Sequence, residues 1–456
     1  MKIKRISLQN YRGLKLFEMK LHKELTVIVG ENGSGKSSIV SAIRLLLWAY
    51  VKNYGKDVRR GTVPSIKMDD VFLKGEDQQY PCSVKGEVWF PEEDFFQDDW
   101  DAEDPSEFDE LFNFNIIGCE LSDRNSRPKW DGVAAVNYQA ASKGMDAAFE
   151  HLDRLLGGKV EPSEFPVIAC YGTNRLWKKR ISYRKPPRVL DRLAGYDGAA
   201  DLTTSFMSFD TFIVQIFSSV RGGALDKNNI EQLWLGVKDA IFLVTGWKLL
   251  LPRQGETEIF FQQQGTQRLK LSQLGDGVRC MIEFIGDLAC RCALLNPHHG
   301  RGASVNGCGV VLIDEIDLHL HPHWQQTIIS QLQKAFPKIQ FIVTTHSPQV
   351  LSTVRRKNVR VLGVDGNNKA VASQPMAHTY GEPSGDVLQG VMLVDPQPPV
   401  PEKVALQQLT SLVDQGQYDE PASVKLMHEL TLALGTHHPQ LQRLKRSIER
   451  QRVLRK

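Results

Sequence analysis

The chain has 456 residues, 41% hydrophobic and 24% charged, which suffices for one large core with length left over for insertions or an appended segment. Its formal net charge of +3 is too small to argue for or against a nucleic-acid partner, so any such argument rests on local clustering. The seven cysteines show neither a C-x-x-C pair nor zinc-ligand spacing, and no run approaches the roughly 20 apolar residues that span a bilayer. A zinc module, a disulfide framework, a signal sequence and a membrane span are therefore not expected, and a soluble protein in a reduced, cytoplasmic setting is.

The first residues alternate Ile3, Ile6 and Leu8 with polar side chains, the pattern of a strand over 2–8. Leu25-Thr26-Val27-Ile28-Val29 reads as a second, buried strand, and an amphipathic helix is expected over 39–51. Between them stands Gly30-Glu31-Asn32-Gly33-Ser34-Gly35-Lys36-Ser37, a P-loop in the strand-to-helix context that its chemistry requires. Glycines at these positions let backbone N–H groups turn toward phosphate oxygens, and the helix start adds its positive end. Lys36 would reach the β- and γ-phosphates and the Ser37 hydroxyl would ligate Mg²⁺. The candidate ATP contacts are Gly30, Asn32, Gly33, Ser34, Gly35, Lys36, Ser37 and Ser38.

Residues 91–110 are acidic and aromatic, and read as a solvated excursion. A strand over 165–171 ends in Gly172-Thr173-Asn174-Arg175. Then Lys178, Lys179, Arg180, Arg184, Lys185, Arg188 and Arg192 crowd one stretch with Trp177 and Tyr183 between them. Such a mixture can bind phosphate backbones and stack bases, which makes DNA a candidate partner; it can equally be a solvated loop or pair with the acidic excursion. Helix-compatible patterns dominate 204–248, and a helical insertion is placed at about 200–250.

From 271 to 349 the pattern returns to α/β. A helix opens at LSQLGDGVR, and an apolar strand over 310–313 runs into Asp314 and Glu315. Asp314 would hold Mg²⁺, mostly through water, and Glu315 would orient and polarise the attacking water. A helix follows around 325–335, then a buried strand over 339–344 leading to Thr345-His346. The order of these segments makes His346 a candidate contact to the γ-phosphate.

A proline-rich hinge near 395–403 leads into two helical stretches broken by Gly435 and Pro439. The expected division is an ATPase head over 1–395 and a helical tail over 396–456 for partner binding or oligomerisation. In the tail, Leu444, Ile448 and less regularly Leu454 form a stripe between basic residues. A docking helix for another subunit, a nucleic-acid contact and a frayed surface helix all fit it.

Together these motifs resemble the ABC ATPases related to SMC, RecF and OLD proteins, over nearly the whole chain to about residue 400. The most specific block is Ile313-Asp314-Glu315-Ile316-Asp317-Leu318-His319-Leu320-His321-Pro322-His323-Trp324-Gln325, similar to the Walker B and D-loop block of OLD-like and RecF-like ATPases. The resemblance implies an α/β ABC-type P-loop head with a helical insertion and a C-terminal helical appendage. It also implies head-to-tail pairing of two copies. Asn10-Tyr11-Arg12-Gly13 resembles the family's N-terminal segment, which implies that Arg12 lies close to the nucleotide. Leu274-Gly275-Asp276-Gly277-Val278-Arg279 resembles the signature, where relatives commonly read Leu-Ser-Asp-Gly-Glu-Arg. Gly275, Asp276 and Gly277, with Asp317 of the D-loop, would then act on the partner's nucleotide. Gly275 lacks the signature hydroxyl, which implies slow hydrolysis while ATP-driven pairing survives. No glutamine stands out as the Q-loop residue.

The 110 residues after His346 carry no carboxylate cluster for a TOPRIM nuclease, and the span between P-loop and signature has no sustained heptads. Among compact relatives, Thr379 to Pro383 and Val387 to Met392, with the helical tail, most resemble the ATPase subunits of Septu-type bacterial antiphage systems. That resemblance implies a partner carrying an HNH nuclease. Two readings follow: an ATPase engine that licenses DNA engagement, or a nucleotide sensor that restrains a nuclease, toward which Gly275 tilts the balance. A RecF-like repair or recombination ATPase is the alternative.

Overall fold

The computed structural model describes residues 1–51, 64–89, 115–131, 164–173, 192–200, 202, 209, 227–250, 259–263, 265, 267–367 and 369–454. The acidic excursion at 91–110 and the basic stretch from 175 to 191 lie outside the described residues.

The described chain divides into a unit over Met1–Met392 and a unit over Leu393–Lys456. In the first, the central sheet has six strands in the order Ala370–Ser373, Val359–Val364, Leu25–Val29, Ile339–Thr344, Gly309–Ile313 and Val167–Tyr171. All pairs are parallel except the Ala370–Ser373 edge. The adjacent strands Leu25–Val29, Ile339–Thr344, Gly309–Ile313 and Val167–Tyr171 are buried at every residue. Strands covered on both faces read as continuous apolar runs, which is why they show in the sequence as runs rather than alternations.

A second, antiparallel sheet follows the order Leu14–Lys20, Lys2–Tyr11, Cys82–Trp89, Asn115–Leu121 and Lys129–Asp131. The helix Lys36–Val51 touches strands of both sheets, and twelve of its sixteen residues are buried, including Trp48 and Tyr50 in its last turn. A helix apolar on nearly every side belongs between two layers. Its start precedes the expected one because Lys36, Ser37 and Ser38 form a polar first turn that apolar periodicity does not register.

One side chain stitches the two sheets together. Gln340 is fully buried in the Ile339–Thr344 strand; its Oε1 accepts from the Ile3 N–H (2.8 Å), and its Nε2 donates to the carbonyls of Ile3 (2.8 Å) and His22 (2.9 Å).

Within the expected insertion, residues 201, 203–208 and 210–226 lie outside the described residues, and residues 227–250 form the helix Lys227–Thr245 followed by the strand Lys248–Leu250. That strand pairs with Phe260–Gln262, which pairs in turn with Leu269–Lys270. The helix expected around 325–335 is two pieces, Pro322–Gln325 and Ile328–Ala335. Pro322 supplies a ready first turn and the His321 side chain accepts from the His323 N–H, so a separate short helix starts there.

The second unit holds three helices, Lys403–Asp414, Pro421–Leu434 and Pro439–Leu454, rather than two stretches. The additional break is Gly416, whose φ of +76° closes the first helix: Gln417 N–H donates to Leu412 and Gly416 N–H to Val413, a Schellman arrangement. Leu406, Leu409, Val413, Tyr418, Leu430, Leu441 and Leu444 make this unit's own core, with Ile448 packed against it. The Leu444 and Ile448 stripe thus serves that core, while Leu454 is 78% exposed.

Replacing Gln340 by alanine removes three buried hydrogen bonds and strands two carbonyls and an N–H. It is expected to destabilise the Met1–Met392 unit by about 3–5 kcal/mol, read as a lower midpoint in urea unfolding at unchanged slope.

Candidate nucleotide site

Parallel strands bring their carboxyl ends, and the loops that follow, to one edge of the sheet. Here the ends are level: Ile313 pairs with Val343 and with Tyr171, and Thr344 pairs with Ile28. The ladder runs on past the strands, with Asp314 N–H donating to the Tyr171 carbonyl (2.8 Å) and Ile316 N–H to the Thr344 carbonyl (3.0 Å). The P-loop, the Asp314–Glu315 pair, the Thr345–His346 turn and Gly172 therefore emerge side by side.

In the P-loop, Gly33 and Gly35 have φ of +85° and +96°, values open to glycine and strained for other residues. Lys36 is buried, and its Nζ donates to the carbonyls of Gly30 (2.6 Å) and Glu31 (2.7 Å). Burial lowers the Lys36 proton affinity, opposed by the negative charges of Glu315 and then Asp314, so both acids lie within electrostatic reach of this ammonium. The Ser34 Oγ is shielded from solvent and has no hydrogen-bond partner, while Asn32, Gly33 and Ser37 are exposed and Ser38 half-buried. An orphaned hydroxyl, two positive-φ glycines and a sixteen-residue helix start fit the phosphates of a nucleotide and its Mg²⁺.

Thr344 organises the acids. Its Oγ1 donates to Asp314 Oδ1 (2.6 Å) and accepts from the Glu315 N–H (2.7 Å), fixing both residues from the neighbouring strand. Glu315 is held at a φ of +49°, a left-handed conformation that costs a non-glycine residue about 1–2 kcal/mol. Asp317 Oδ1 accepts from Thr345 Oγ1 (2.5 Å) and from the His346 N–H (3.3 Å), so the loop after the acids is tied to the turn carrying His346. Ser347 Oγ donates to Gln325 Oε1 (2.8 Å), and Gln325 Nε2 donates to the Leu320 carbonyl (3.0 Å), closing that loop from its far side.

Arg12 sits in the turn after the Lys2–Tyr11 strand at a φ of +50°; its Nε donates to Asp70 Oδ1 (2.8 Å) and its N–H to the Asp70 carbonyl (2.6 Å). Leu14, two residues on, lies 3.5 Å from where a Cβ on Gly35 would stand, which puts this turn beside the P-loop. Arg12 lines an open cleft of about 600 Å³ with Gly13, Asp69, Asp70 and Val71.

The helix Asp276–Leu295 begins after Gly275, an exposed N-cap residue that supplies no side-chain cap; Asp276 beside it is also exposed. Within the chain, Gly277 meets the loop after the acids: a Cβ there would stand 2.6 Å from the His319 carbonyl oxygen, so this position admits only glycine without displacement. Farther along, Asp287 and Arg291 form a buried ion pair (2.8 Å). Tyr171 OH donates to Asp287 Oδ2 (2.9 Å), and Arg291 Nη1 donates to the carbonyls of Gly195 (2.8 Å) and Asp197 (3.0 Å). Such a pair is tolerable in a dry interior because its remaining hydrogen-bonding capacity is used. Tyr171 thereby joins the helix to the strand whose last carbonyl holds Asp314.

Two family models match, an AAA ATPase domain over residues 1–126 and an AAA domain family, described also by the AbiEii toxin of type IV toxin–antitoxin systems, over residues 161–352. The retron Vc95 probable ATPase of Vibrio cholerae is 26% identical over 92% of this chain and 84% of its own length. The Septu protein PtuA of Bacillus mycoides is 33% identical over 54% of this chain and 34% of its own length. The chain is thus related to retron ATPases and to Septu PtuA, and carries AAA ATPase family domains. Among solved structures, the SMC head domain from Thermotoga maritima aligns over 83% of this chain and 100% of its own at 15% identity, with a TM-score of 0.42.

The principal site residues of this ATPase that sequence reasoning passed over are Thr344, Thr345 and Gln325. The available signal was a Thr-Thr doublet ending an otherwise apolar run, where a hydroxyl in a buried strand needs a partner. Thr344→Val keeps the side-chain shape but frees Asp314 and the Glu315 N–H. ATP turnover is expected to fall about 10- to 100-fold, as for lost supporting hydrogen bonds, with nucleotide affinity changed less than threefold by fluorescent-analogue titration (~0.6 kcal/mol).

Proposed function

We propose that this ATPase is the ATP-binding regulatory subunit of a bacterial antiphage defence complex, in which nucleotide controls an associated HNH-type nuclease. One observation carries the nucleotide chemistry: Lys36, Asp314, Glu315 and the Thr344 hydroxyl converge at one sheet edge. Similarity to a retron ATPase and to PtuA supports the defence role.

Bound ATP with Mg²⁺ supplies the transferable phosphoryl group and much of the charge neutralisation. The chain's own groups do the rest. The Gly30–Ser38 backbone and hydroxyls, with Lys36, hold the phosphates, and Arg12 stands beside them. Ser37 and Asp314 hold the metal, Asp314 in the orientation set by Thr344. Glu315 orients a water and takes its proton, and His346, fixed through Asp317, completes the γ-phosphate end.

A second copy, paired head to tail, brings Gly275, Asp276, Gly277 and its own Asp317 to the phosphates. Gly275 offers a backbone N–H and a helix start but no hydroxyl, so the ATP-bound pair is long-lived and turnover slow. Nucleotide then works chiefly as a ligand that shifts a population, with DNA cleavage by the partner released when ATP falls. No helix among the described residues is long and apolar enough to cross a membrane.

Glu315→Gln is expected to lower turnover at least about 100-fold and to accumulate ATP-bound dimers, seen by light scattering on a sizing column. Gly275→Ser enters open space, since nothing lies within 4 Å of its added Cβ. It should cap the helix, stabilising it by a few tenths of a kcal/mol, and raise turnover severalfold. The decisive assay is DNA cleavage by the chain with and without its HNH partner across an ATP titration. Cleavage that needs the partner and declines with ATP supports the proposal; ATP-stimulated DNA binding with no cleavage in either sample overturns it in favour of a RecF-like repair ATPase.

A further inference from the structure

The opposite edge of the central sheet carries a second cluster. Glu164 stands just before the Val167–Tyr171 strand, and His298 and His299 lie in the turn Pro297–Gly302 that follows the helix Asp276–Leu295. The strand register starts there, with Gly309 opposite Val167, and reaches Asp314 only at its other end. Five residues at about 3.3 Å each separate the two edges by more than about 15 Å.

The three side chains share an anchor. Asn296 is fully buried, and its carboxamide pairs both ways with the backbone of Phe165, accepting from the N–H and donating to the carbonyl at 2.8 Å each. Glu164 is one residue from that clasp and His298 two, so both approach each other from fixed points.

Both imidazoles converge on one carboxylate oxygen. Glu164 Oε1 lies 3.0 Å from His298 Nε2 and 2.6 Å from His299 Nε2, and one donor atom from each residue lies within 4.8 Å of the others. The His298 contact has hydrogen-bond geometry. The His299 Nε2 is shielded from solvent and has no hydrogen-bond partner. The two ring nitrogens and the carboxylate oxygen thus face one another closely enough to surround a small ion. Among the described residues this is also the only group of three or more histidine, cysteine or acidic side chains so convergent.

We propose that Glu164, His298 and His299 form a transition-metal site separate from the nucleotide site, with Zn²⁺ as its occupant. Two imidazole nitrogens and one carboxylate oxygen suit a borderline ion, whereas Mg²⁺ takes oxygen ligands. Bonds of about 2.0–2.2 Å place neighbouring donors about 3.4 Å apart, within reach of small side-chain rotations. The exposed side of Glu164 and His298 leaves the fourth position to water. An ion there fastens the end of the Asp276–Leu295 helix to the start of the Val167–Tyr171 strand.

The test titrates the metal-stripped full chain with Co²⁺, whose visible absorption reports tetrahedral coordination, and then displaces it with Zn²⁺. The expected result is one equivalent bound at micromolar concentration, with affinity at least about tenfold weaker in His298→Ala and in His299→Ala. Zn²⁺ should raise the melting temperature of the natural chain but not of these variants. Unchanged ATP binding in both variants verifies the fold, since both positions lie away from the phosphate loop. No saturable binding, or binding equally tight in both variants, as the cysteines or the 319–323 histidines would give, overturns the proposal.

Discussion

The Thr344 hydroxyl is the contact on which the candidate site depends. It donates a hydrogen bond to Asp314 and accepts one from the Glu315 N–H, so a single atom sets the direction of one carboxylate and the backbone geometry of the other. It can do so only because the strand that carries it lies between the P-loop strand and the strand that ends in the acids. Without the Gly309–Ile313 strand beside it, the hydroxyl would not reach either acid. The sheet order is thus part of the chemistry.

A second constraint links the helix Asp276–Leu295 to the same place. Asp287 and Arg291 neutralise each other inside the helix, and Tyr171 joins them to the strand whose terminal carbonyl receives the Asp314 N–H. Gly277, at the helix start, abuts the His319 carbonyl in the loop beyond the acids. The helix therefore contacts the Val167–Tyr171 strand and the loop beyond the acids at two points ten residues apart, roughly 15 Å along its own axis at 1.5 Å per residue.

Much of this was legible before any coordinates. The Leu25–Val29 and Ile339–Thr344 strands fall where their apolar runs end, because a strand buried on both faces has sharp compositional edges. The P-loop was legible because its glycines, lysine and serine answer to a local geometry. The residues that organise the site were less so. Thr344 works on a residue 30 positions away and Gln340 on one 337 positions away, and a polar residue inside an apolar run looks the same whether its partner is present or not. Helix ends defined by capping rather than periodicity, such as Gly416, were missed for a related reason: the conformation that stops the helix resides in one residue's backbone.

The left-handed backbone at Glu315 has a consequence for substitution at this position. The residue that fits this conformation most comfortably is glycine, which would relieve about 1–2 kcal/mol of local strain while deleting the carboxylate. Substitution of this residue by glycine is therefore expected to be favourable in local backbone energy. Keeping a glutamate rather than a glycine at this position thus holds a carboxylate in place at the expense of local backbone strain.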